Sequence, residues 1–446
     1  MLMTLIPLFS LYVVTWNVAQ KYPDFITLNE LLDIDPTVKD KALPDIFIIG
    51  LQEVNANPQN VVTSFFKADP WVQKLKDLLK PLEYLVAKTE QMQGLLMTVF
   101  IKRKHLYHIR EIESEYTKTG FGGMWGNKGA VVIRMNLYGC SVCLVNCHLA
   151  AHDHMLEERI SDYQRIKDAT KFSVKVSQSI YEHDYVFWFG DLNFRLYGEE
   201  EEDNLSPEEI RELVQKDQIS DLLKRDQLSM AMCEGRAFSE LVERLPQFHP
   251  TFKFEQGTDE YDMKRRPAWC DRILYKAKNK ILKNCSLQLE QISYKSHPSY
   301  KLSDHKPVSS EFQIKAPDDE ISEMVVHFHQ LDVWNNSEAN EVEYVLPPNF
   351  VDGGSDWIGV YRKGFTGFDE YIGYEYTETH GDRSQSTPRT VKISFSASID
   401  LPLDGDNFVM LYFQSTGMRG YSSMVGISDS FPVIKRCPSL QPDTID

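Results

Sequence analysis

The sequence predicts an α/β domain followed by a smaller all-β domain. From residue 12 to residue 314, short β-branched runs alternate with polar segments of helical period, which is the pattern of sheets covered by helices. Beyond residue 323 the pattern predicts strands and turns, spaced as in an immunoglobulin-like β-sandwich. The acidic, proline-containing stretch 316–322 separates the two patterns. We therefore predict domains at 1–315 and 323–446, joined by a linker at 316–322.

The elements follow from these runs in chain order. In the first domain, strands are predicted at 12–17, 46–52, 95–101, 130–135, 141–148, 185–190, 272–275 and 308–314. Helices are predicted at 71–79, 155–177 and 207–216, and Ser206 and Pro207 favour the start of the last one as N-cap and first residue. In the second domain, strands are predicted at 324–331, 341–346, 357–361, 391–395, 408–413 and 426–431.

Composition and charge limit the classes of function. The chain has 446 residues and a formal net charge of −17, which argues against nucleic-acid binding because that binding needs a basic surface. Its seven cysteines lack the spacing of a disulfide framework, so we expect a cytoplasmic location. The apolar N-terminal segment lacks the features of a signal peptide. No other apolar run reaches the ~18 residues that a membrane span needs.

Polar side chains follow several predicted strands at the point where each strand ends. Asn17, Glu53 and His148 each follow a different strand, and Asp191 and Asn193 follow a fourth. Any one of them alone would be an ordinary turn or surface residue. Because open sheets bind ligands at strand ends, five such residues predict a shared cleft. Gly190 leaves room beside Asp191 and Asn193, whose spacing can place both on one face of the chain.

Two later motifs add charged groups near the starts of two more strands. Asp271 and Arg272 open one of these strands, and Asp304 and His305 precede the other. A histidine beside a carboxylate keeps its proton more readily, and a charged imidazolium is useful next to a phosphate. Either motif alone would be a structural pair. Together with the strand-end residues they predict a cleft that processes phosphate groups.

Four motifs carry a resemblance to a known family. They are W-F-G-D-L-N-F-R at 188–195, P-A-W-C-D-R-I-L at 267–274, N-C-H-L-A-A-H at 146–152 and S-D-H at 303–305. With them, residues 12–314 resemble the inositol polyphosphate 5-phosphatases of the deoxyribonuclease-I-like superfamily. The resemblance implies a four-layer α/β/β/α sandwich. It also implies Mg²⁺-dependent removal of the 5-phosphate from PtdIns(4,5)P2, PtdIns(3,4,5)P3 and soluble inositol phosphates, which would dampen phosphoinositide and PI3-kinase or insulin-type signalling.

The same resemblance implies a role for each residue of the cleft. The magnesium ion would be held chiefly by Glu53, with help from Asn17. Water would be oriented or deprotonated by Asp191 and would attack the phosphate in line. Asn193 would hold a phosphate oxygen, and His148 and His305 would stabilise the charge that develops on the phosphate. Asp271 would pair with His305. Asp304 would support the side of the site where the water or the metal binds.

Recognition of the rest of the substrate would use cations and a membrane-facing loop. The family resemblance favours a loop that places Phe121, Met124 and Trp125 against a lipid surface. Phe252 stands where a phosphate-contacting tyrosine is common in the family, and the segment before P-A-W-C-D-R is shorter than usual. The candidate substrate-binding residues are Asn127, Lys128, Arg195, Lys253, Lys264, Arg265, Arg266 and Arg272.

The C-terminal segment resembles the carboxyl-homology (SKICH) domain at 356–361, 365–376 and 407–412. The resemblance implies targeting through a protein partner, with the chain attached peripherally to the plasma membrane or the surface of the endoplasmic reticulum. Two alternatives stay open. One is a nuclease of the same superfamily, whose metal and Asp, Asn and His groups serve phosphodiester cleavage equally well. The other is a scaffold with a silent active site.

Overall fold

Buried β-branched strands form the framework of the structure, a computed structural model. It describes residues 8–35, 37–38, 41–55, 69–120, 125–196, 205–282, 285–317, 324–336, 338–378, 386–416 and 421–435. The chain divides into two compact units. The first comprises Met1–Leu106 and Glu113–Asp318, and the second comprises Tyr107–Ile112 and Asp319–Asp446.

The elements of the first unit alternate between strands and helices. The strands are β1 (Leu8–Asn17), β2 (Ile46–Gln52), β3 (Tyr84–Met92), β4 (Leu95–Lys102), β5 (Ile109–Thr119, which begins in the second unit), β6 (Trp125–Leu137), β7 (Cys140–His148), β8 (Tyr185–Asp191), β9 (Asp271–Ala277), β10 (Ile281–Leu282), β11 (Cys285–Ser286), β12 (Leu289–Ser296) and β13 (Val308–Lys315). The α-helices are α1 (Pro70–Leu79), α2 (Leu156–Ala169), α3 (Pro207–Gln215), α4 (Ile219–Leu223) and α5 (Gln227–Cys233). Short 3₁₀ helices lie at Lys80–Leu82, Arg103–His108 (which ends in the second unit) and Ile180–Glu182.

Two sheets stack face to face in this unit. One has the order β12-β13-β1-β2-β4-β3, and the other includes β5-β6-β7-β8-β9 in that order. The rings of Phe187 in β8 and Phe312 in β13 lie 5.0 Å apart between the sheets. At Gly50 in β2, a Cβ atom would lie 2.4 Å from the ring of Phe189, so glycine permits the close approach of the sheets.

Helices cover the outer faces of both sheets. Trp71 and Leu75 of α1 pack in one hydrophobic cluster with Trp16 of β1, and Tyr163 of α2 packs with Trp188 of β8 in another. The order helix, sheet, sheet, helix confirms the predicted four-layer α/β/β/α sandwich.

Local sequence signals explain where the helices begin and end. Ser206 caps α3, as the sequence predicts, and it also forms a capping box with Glu209. The predicted helix 155–177 is too long, because α2 ends at Ala169. Thr170 has an extended backbone there, and its Oγ1 donates to the carbonyl oxygen of Ile166 at 2.8 Å. This side-chain bond satisfies a carbonyl of the last turn.

The strand register brings the polar strand ends to one edge of the sandwich. β1 and β2 are parallel with Asn17 opposite Gln52, and β7 and β8 are parallel with His148 opposite Asp191. β9 runs antiparallel to β8, so its first residue, Asp271, faces the last residue of β8. β13 likewise runs antiparallel to β1 and starts at the end of β1. The register therefore gathers the residues that the sequence places at strand ends and starts.

The described residues of the second unit form strands and turns. The strands are β14 (His327–Phe328), β15 (Trp334–Asn335), β16 (Asn340–Leu346), β17 (Trp357–Arg362), β18 (Gly373–Tyr376), β19 (Arg389–Phe395), β20 (Phe408–Ser415), β21 (Ser422–Ile427) and β22 (Val433–Ile434). Trp334, Tyr344 and Phe431 are fully buried in their core. The all-β prediction is confirmed, although the predicted strand 426–431 is largely wrong because β21 ends at Ile427.

No helix among the described residues of either unit has the length and apolar character needed to cross a membrane.

Candidate active site

The strand ends of the first unit surround a cavity of about 350 Å³. Carboxylates, histidines and cations line the same space, so it suits a phosphorylated ligand close to catalytic groups. The lining residues are Ala19, Glu53, Lys128, His148, Ala151, His152, Asp191, Asn193, Arg195, Phe252, Lys253, Gln256, Arg265, Asp304 and His305.

Asp191 is the buried carboxylate at the centre of the site. Its Oδ2 accepts a hydrogen bond from Asn17 Nδ2 at 3.0 Å and lies 3.2 Å from His148 Nε2 and 3.8 Å from His305 Nε2. Its Oδ1 accepts from the backbone N–H of Asn193 at 3.1 Å. Although burial disfavours the charged form, the charges of His148 and His305 hold the pKa of Asp191 well below its usual range. The group is therefore an ionised acceptor at neutral pH.

His305 forms a buried ion pair on the other side of Asp191. Its Nδ1 lies 2.9 Å from Asp271 Oδ2, which also accepts from Thr251 Oγ1 at 2.7 Å. Burial opposes protonation of the ring, but Asp271 and Asp191 outweigh it and raise the pKa of His305 to about 9. His305 is therefore a fixed cation at neutral pH, and Nε2 is its free donor toward the cavity side.

His148 differs from His305 in the direction of its pKa shift. Its Nε2 lies within hydrogen-bonding distance of Lys128 Nζ and 3.2 Å from Asp191 Oδ2. Burial and the charge of Lys128 lower the pKa of His148, and burial lowers the pKa of Lys128 as well. The two imidazoles of the site are therefore shifted in opposite directions, since the pKa of His148 is lowered and that of His305 is raised.

Glu53 supplies an oxygen ligand that faces the cavity. Its side chain is 40% exposed and lies 3.9 Å from His148 Nε2, and its Oε1 accepts from Asn17 Nδ2 at 3.2 Å. Asn17 Oδ1 accepts from the backbone N–H of Ala19 at 3.0 Å, which fixes the amide so that it bridges Glu53 and Asp191. Both Glu53 and Asn193 have left-handed backbones, with φ of 54° and 56°, an uncommon conformation that recurs at functional sites.

A second group of metal-ligating atoms lies in the described residues. Asp191, Asp271 and His305 offer atoms within 4.8 Å of one another. His305, however, is protonated and bonded to Asp271, so it has no free lone pair for a metal. Glu53 and Asp191, which both line the cavity, are the better pair of oxygen ligands for a hard cation.

Asn193 is held in a single orientation by its neighbours. Its Nδ2 donates to the carbonyl oxygen of Leu149 at 3.2 Å, and its Oδ1 accepts from Arg195 Nη2 at 2.6 Å. Arg195 is 4% exposed, and its guanidinium carbon lies 4.5 Å from the ring centroid of Phe252. The Phe252 ring in turn lies 4.5 Å from the His305 ring. Phe252 thus packs against both charged groups instead of donating a hydrogen bond.

The predicted substrate-binding residues divide into two sets. Lys128, Arg195, Lys253 and Arg265 line the cavity, whereas Asn127, Lys264, Arg266 and Arg272 are not among its lining residues.

The prediction that Arg272 binds substrate is wrong. Its side chain is 0% exposed, and its guanidinium forms ion pairs with Asp226 at 2.9 Å and Glu243 at 2.5 Å. Both ion-pair partners of this guanidinium are carboxylates of the protein, so Arg272 is a buried structural cation. A motif shows that an arginine is present but not which way its side chain points.

The predicted membrane loop lies largely outside the described residues. Phe121 and Met124 lie outside the described residues, and only the backbone of Trp125, at the start of β6, is described. Four lining residues were not predicted from the sequence: Ala19, Ala151, His152 and Gln256. His152 ends the N-C-H-L-A-A-H motif, which could have indicated it, while no pattern distinguishes Gln256.

Comparison with known proteins identifies the family. Residues 14–311 match the model of the endonuclease/exonuclease/phosphatase family 2, and residues 326–433 match the SKICH domain. The chain is 32% identical to mouse inositol polyphosphate 5-phosphatase K over 448 residues, which cover 98% of this chain and 92% of the relative. The chain belongs to the inositol polyphosphate 5-phosphatase family. It is also 34% identical to human phosphatidylinositol 4,5-bisphosphate 5-phosphatase A over 96% of its own length, and it spans 42% of that longer protein.

A solved structure of the 5-phosphatase family has the same fold. The inositol polyphosphate 5-phosphatase domain of SPsynaptojanin, in complex with inositol (1,4)-bisphosphate and calcium ion, is 30% identical with a TM-score of 0.58. The match covers 71% of this chain and 88% of that one.

Proposed function

We propose that this protein is a Mg²⁺-dependent phosphatase that removes the 5-phosphate of phosphoinositides and soluble inositol polyphosphates. One observation carries the proposal: an ionised, buried Asp191 lies between two histidines, beside Glu53, in a cavity whose other walls bear cations. A carboxylate acceptor and a fixed imidazolium within 4 Å of each other match the needs of water attack on a phosphate ester.

The oxygen donors at the cavity fit magnesium. Glu53 is partly exposed and Asp191 is ionised, and hard divalent cations prefer carboxylate oxygens. We propose that Glu53, steadied by Asn17, holds the ion. A bound Mg²⁺ would polarise the phosphate and neutralise charge that builds up on its oxygens.

The protein's own residues would perform the remaining steps of an in-line displacement. Asp191 would accept a hydrogen bond from the attacking water and take its proton, since Asp191 lines the cavity. Asn193, fixed by Leu149 and Arg195, would present its second amide hydrogen to a phosphate oxygen. Holding the water and the phosphate together in this way supplies a large part of the rate enhancement.

His305 would stabilise the charge of the transition state. Its Nδ1 is occupied by Asp271, so Nε2–H remains to donate to the phosphate. His148 would add a second contact once an anionic substrate attracts Lys128 away from Nε2. The remaining cations, Lys253 and Arg265, would bind the other phosphates of the inositol ring, and Asp304, 3.6 Å from Lys253, would orient that lysine.

We further propose where the protein acts. Residues 1–315 would carry the activity and residues 323–446 would recruit it through a protein partner, with 316–322 between them. The location would be the cytoplasmic surface of the plasma membrane or endoplasmic reticulum, where phosphoinositide hydrolysis would dampen PI3-kinase-type signalling. Imaging of the tagged full chain and of a variant cut at residue 316 tests this: equal distribution of the two would contradict the targeting role.

Phosphate release with and without metal tests the proposed function. The wild type should release phosphate from short-chain PtdIns(4,5)P2 with Mg²⁺ and lose the activity with EDTA. Asp191→Asn should lose about 10²–10⁴-fold in kcat, which is the usual contribution of a general base. A folded wild type that cleaves duplex DNA but not the lipid would favour a nuclease instead.

A further inference from the structure

Asp153 lies between two arginines beside the cavity. Arg266 donates to Asp153 Oδ2 through Nε at 2.9 Å and through Nη2 at 2.8 Å. Arg195 Nη1 lies 3.6 Å from the other carboxylate oxygen. The side chains of Asp153 and Arg266 are 27% and 22% exposed and that of Arg195 is 4% exposed. The pairs are therefore screened less by water than ordinary surface ion pairs.

The pairing with Arg266 fixes the segment that carries Arg265. Of the two consecutive arginines, Arg265 lines the cavity while Arg266 turns to Asp153. The segment is held on its other side by Asp262, whose Oδ1 accepts from the backbone N–H of Lys264 at 2.8 Å. Arg265 lies between these two attachments, so the direction of its side chain depends on both.

The contact with Arg195 links the same carboxylate to the reacting centre. Arg195 donates to the carbonyl oxygen of Asn193 at 3.0 Å and to its side-chain Oδ1 at 2.6 Å. Asp153 itself is not a lining residue of the cavity. Its influence on a bound substrate would therefore pass mainly through Arg266, because the 3.6 Å contact with Arg195 is longer than a hydrogen bond.

We propose that Asp153 is a positioning residue that sets the affinity of the site for a second phosphate on the substrate. This inference rests on the proposed function and concerns the part of the site that would bind a second phosphate. Asp153 anchors Arg266, and this anchoring keeps Arg265 directed into the cavity. Inositol 1,4-bisphosphate and inositol 1-monophosphate both lack a 5-phosphate and differ by one phosphate, so only the first would depend on a second-phosphate site.

Two single variants separate positioning from simple charge. Asp153→Asn removes an anion near the cavity, and Arg266→Gln removes a cation. If only net charge mattered, the first would strengthen and the second would weaken binding of an anionic ligand. If Asp153 acts by anchoring Arg266, both variants release the same segment and both weaken binding. The double variant should then bind no more weakly than either single variant.

Calorimetry of the full chain with inositol 1,4-bisphosphate and inositol 1-monophosphate provides the measurement. We expect each variant to bind the bisphosphate about fivefold more weakly, the equivalent of about 1 kcal/mol for one partly buried ion pair. Binding of the monophosphate should change less than about twofold. Thermal denaturation checks folding. If Asp153→Asn unfolds, Arg266→Gln carries the same expectation.

The outcomes distinguish this inference from the proposed function. Opposite changes in the two single variants, equal losses for both ligands, or additive losses in the double variant would overturn the role of Asp153. If the wild type releases phosphate and both variants bind the two ligands as tightly as the wild type, this inference alone would be overturned. A folded wild type that neither binds the bisphosphate nor releases phosphate would overturn the proposed function, and the inference with it.

Discussion

Replacing Asp271 with asparagine tests whether a fixed charge on His305 is needed for activity. In the wild type, Asp271 Oδ2 lies 2.9 Å from His305 Nδ1, and neither residue is more than 4% exposed. Asparagine keeps the shape of the side chain and can still accept a hydrogen bond, but it lacks the negative charge. The variant therefore removes the main electrostatic support for the imidazolium and leaves the packing nearly unchanged.

The size of the effect follows from the pKa of His305. The rise from 6.5 to about 9 corresponds to about 3 kcal/mol of preferential interaction with the charged ring. Because the folded pKa is raised, this stabilisation is fully present below pH 6.5 and is lost as pH rises through 9. If the pKa returned to 6.5 in the variant, the charged fraction at pH 8 would fall from about nine-tenths to about 3%, a roughly thirtyfold loss of the active form.

The pH dependence of kcat/KM measures the loss of the charged form of His305 directly. The wild type should lose activity on the alkaline side with a pKa near 9, and Asp271→Asn should move that limb to a pKa near or below about 6.5. Asp45→Asn is the matched control, because Asp45 forms a similar pair with His105 at 2.9 Å outside the cavity lining. It should leave the limb in place. An alkaline limb that stays near its wild-type position in Asp271→Asn would refute the role assigned to His305.

Three further predictions concern the backbone, the core and the metal. At Gly190, with φ of 142°, an added Cβ would lie 2.0 Å from the carbonyl oxygen of Cys147, so Gly190→Ala should lower the free energy of unfolding by about 3 kcal/mol or more. At Gly235 an added Cβ would meet no atom within 4 Å. Gly235→Ala should therefore lower the free energy of unfolding by only about 1 kcal/mol. Urea denaturation measures both variants. Arg272→Met leaves two carboxylates buried without their cation and should lower the free energy of unfolding by about 3–5 kcal/mol. The KM of the folded fraction should be nearly unchanged. A stable variant with a raised KM would contradict the structural role of Arg272. Glu53→Gln should raise the Mg²⁺ concentration needed for half-maximal activity at least about tenfold, and an unchanged requirement would exclude Glu53 as a ligand.

The fold was predictable where strands are short and strongly apolar. The predicted strand 46–52 matches β2 residue for residue, and 185–190 misses only the last residue of β8. The strands β3, β5 and β12 were not predicted, since each contains several polar residues among the apolar ones: YLVAKTEQM, IREIESEYTKT and LEQISYKS. Strands of this kind are stabilised by pairing with neighbours, which the sequence of one strand alone does not reveal.

The site was predictable because strand ends share an edge, but its side-chain directions were not. Asp191, His148 and Glu53 follow from the logic of strand ends, and the structure brings them together. Gly190 was predicted to make room for its neighbours, whereas it permits the close approach of β8 to Cys147 in β7. The direction of the Arg272 side chain depends on its ion pairs with Asp226 and Glu243, which are remote in sequence from the motif. Contacts of this range are set by tertiary packing and not by local pattern.

The identity of the phosphate that leaves is the most direct test of the central claim. Short-chain PtdIns(3,4,5)P3 would be incubated with the full chain and Mg²⁺, and the lipid product would be identified by chromatography against the three bisphosphate isomers. We expect PtdIns(3,4)P2 as the product, formed about 10²–10⁴-fold more slowly by Asp191→Asn. Production of PtdIns(4,5)P2 or PtdIns(3,5)P2, or no turnover by a folded wild type, would contradict it.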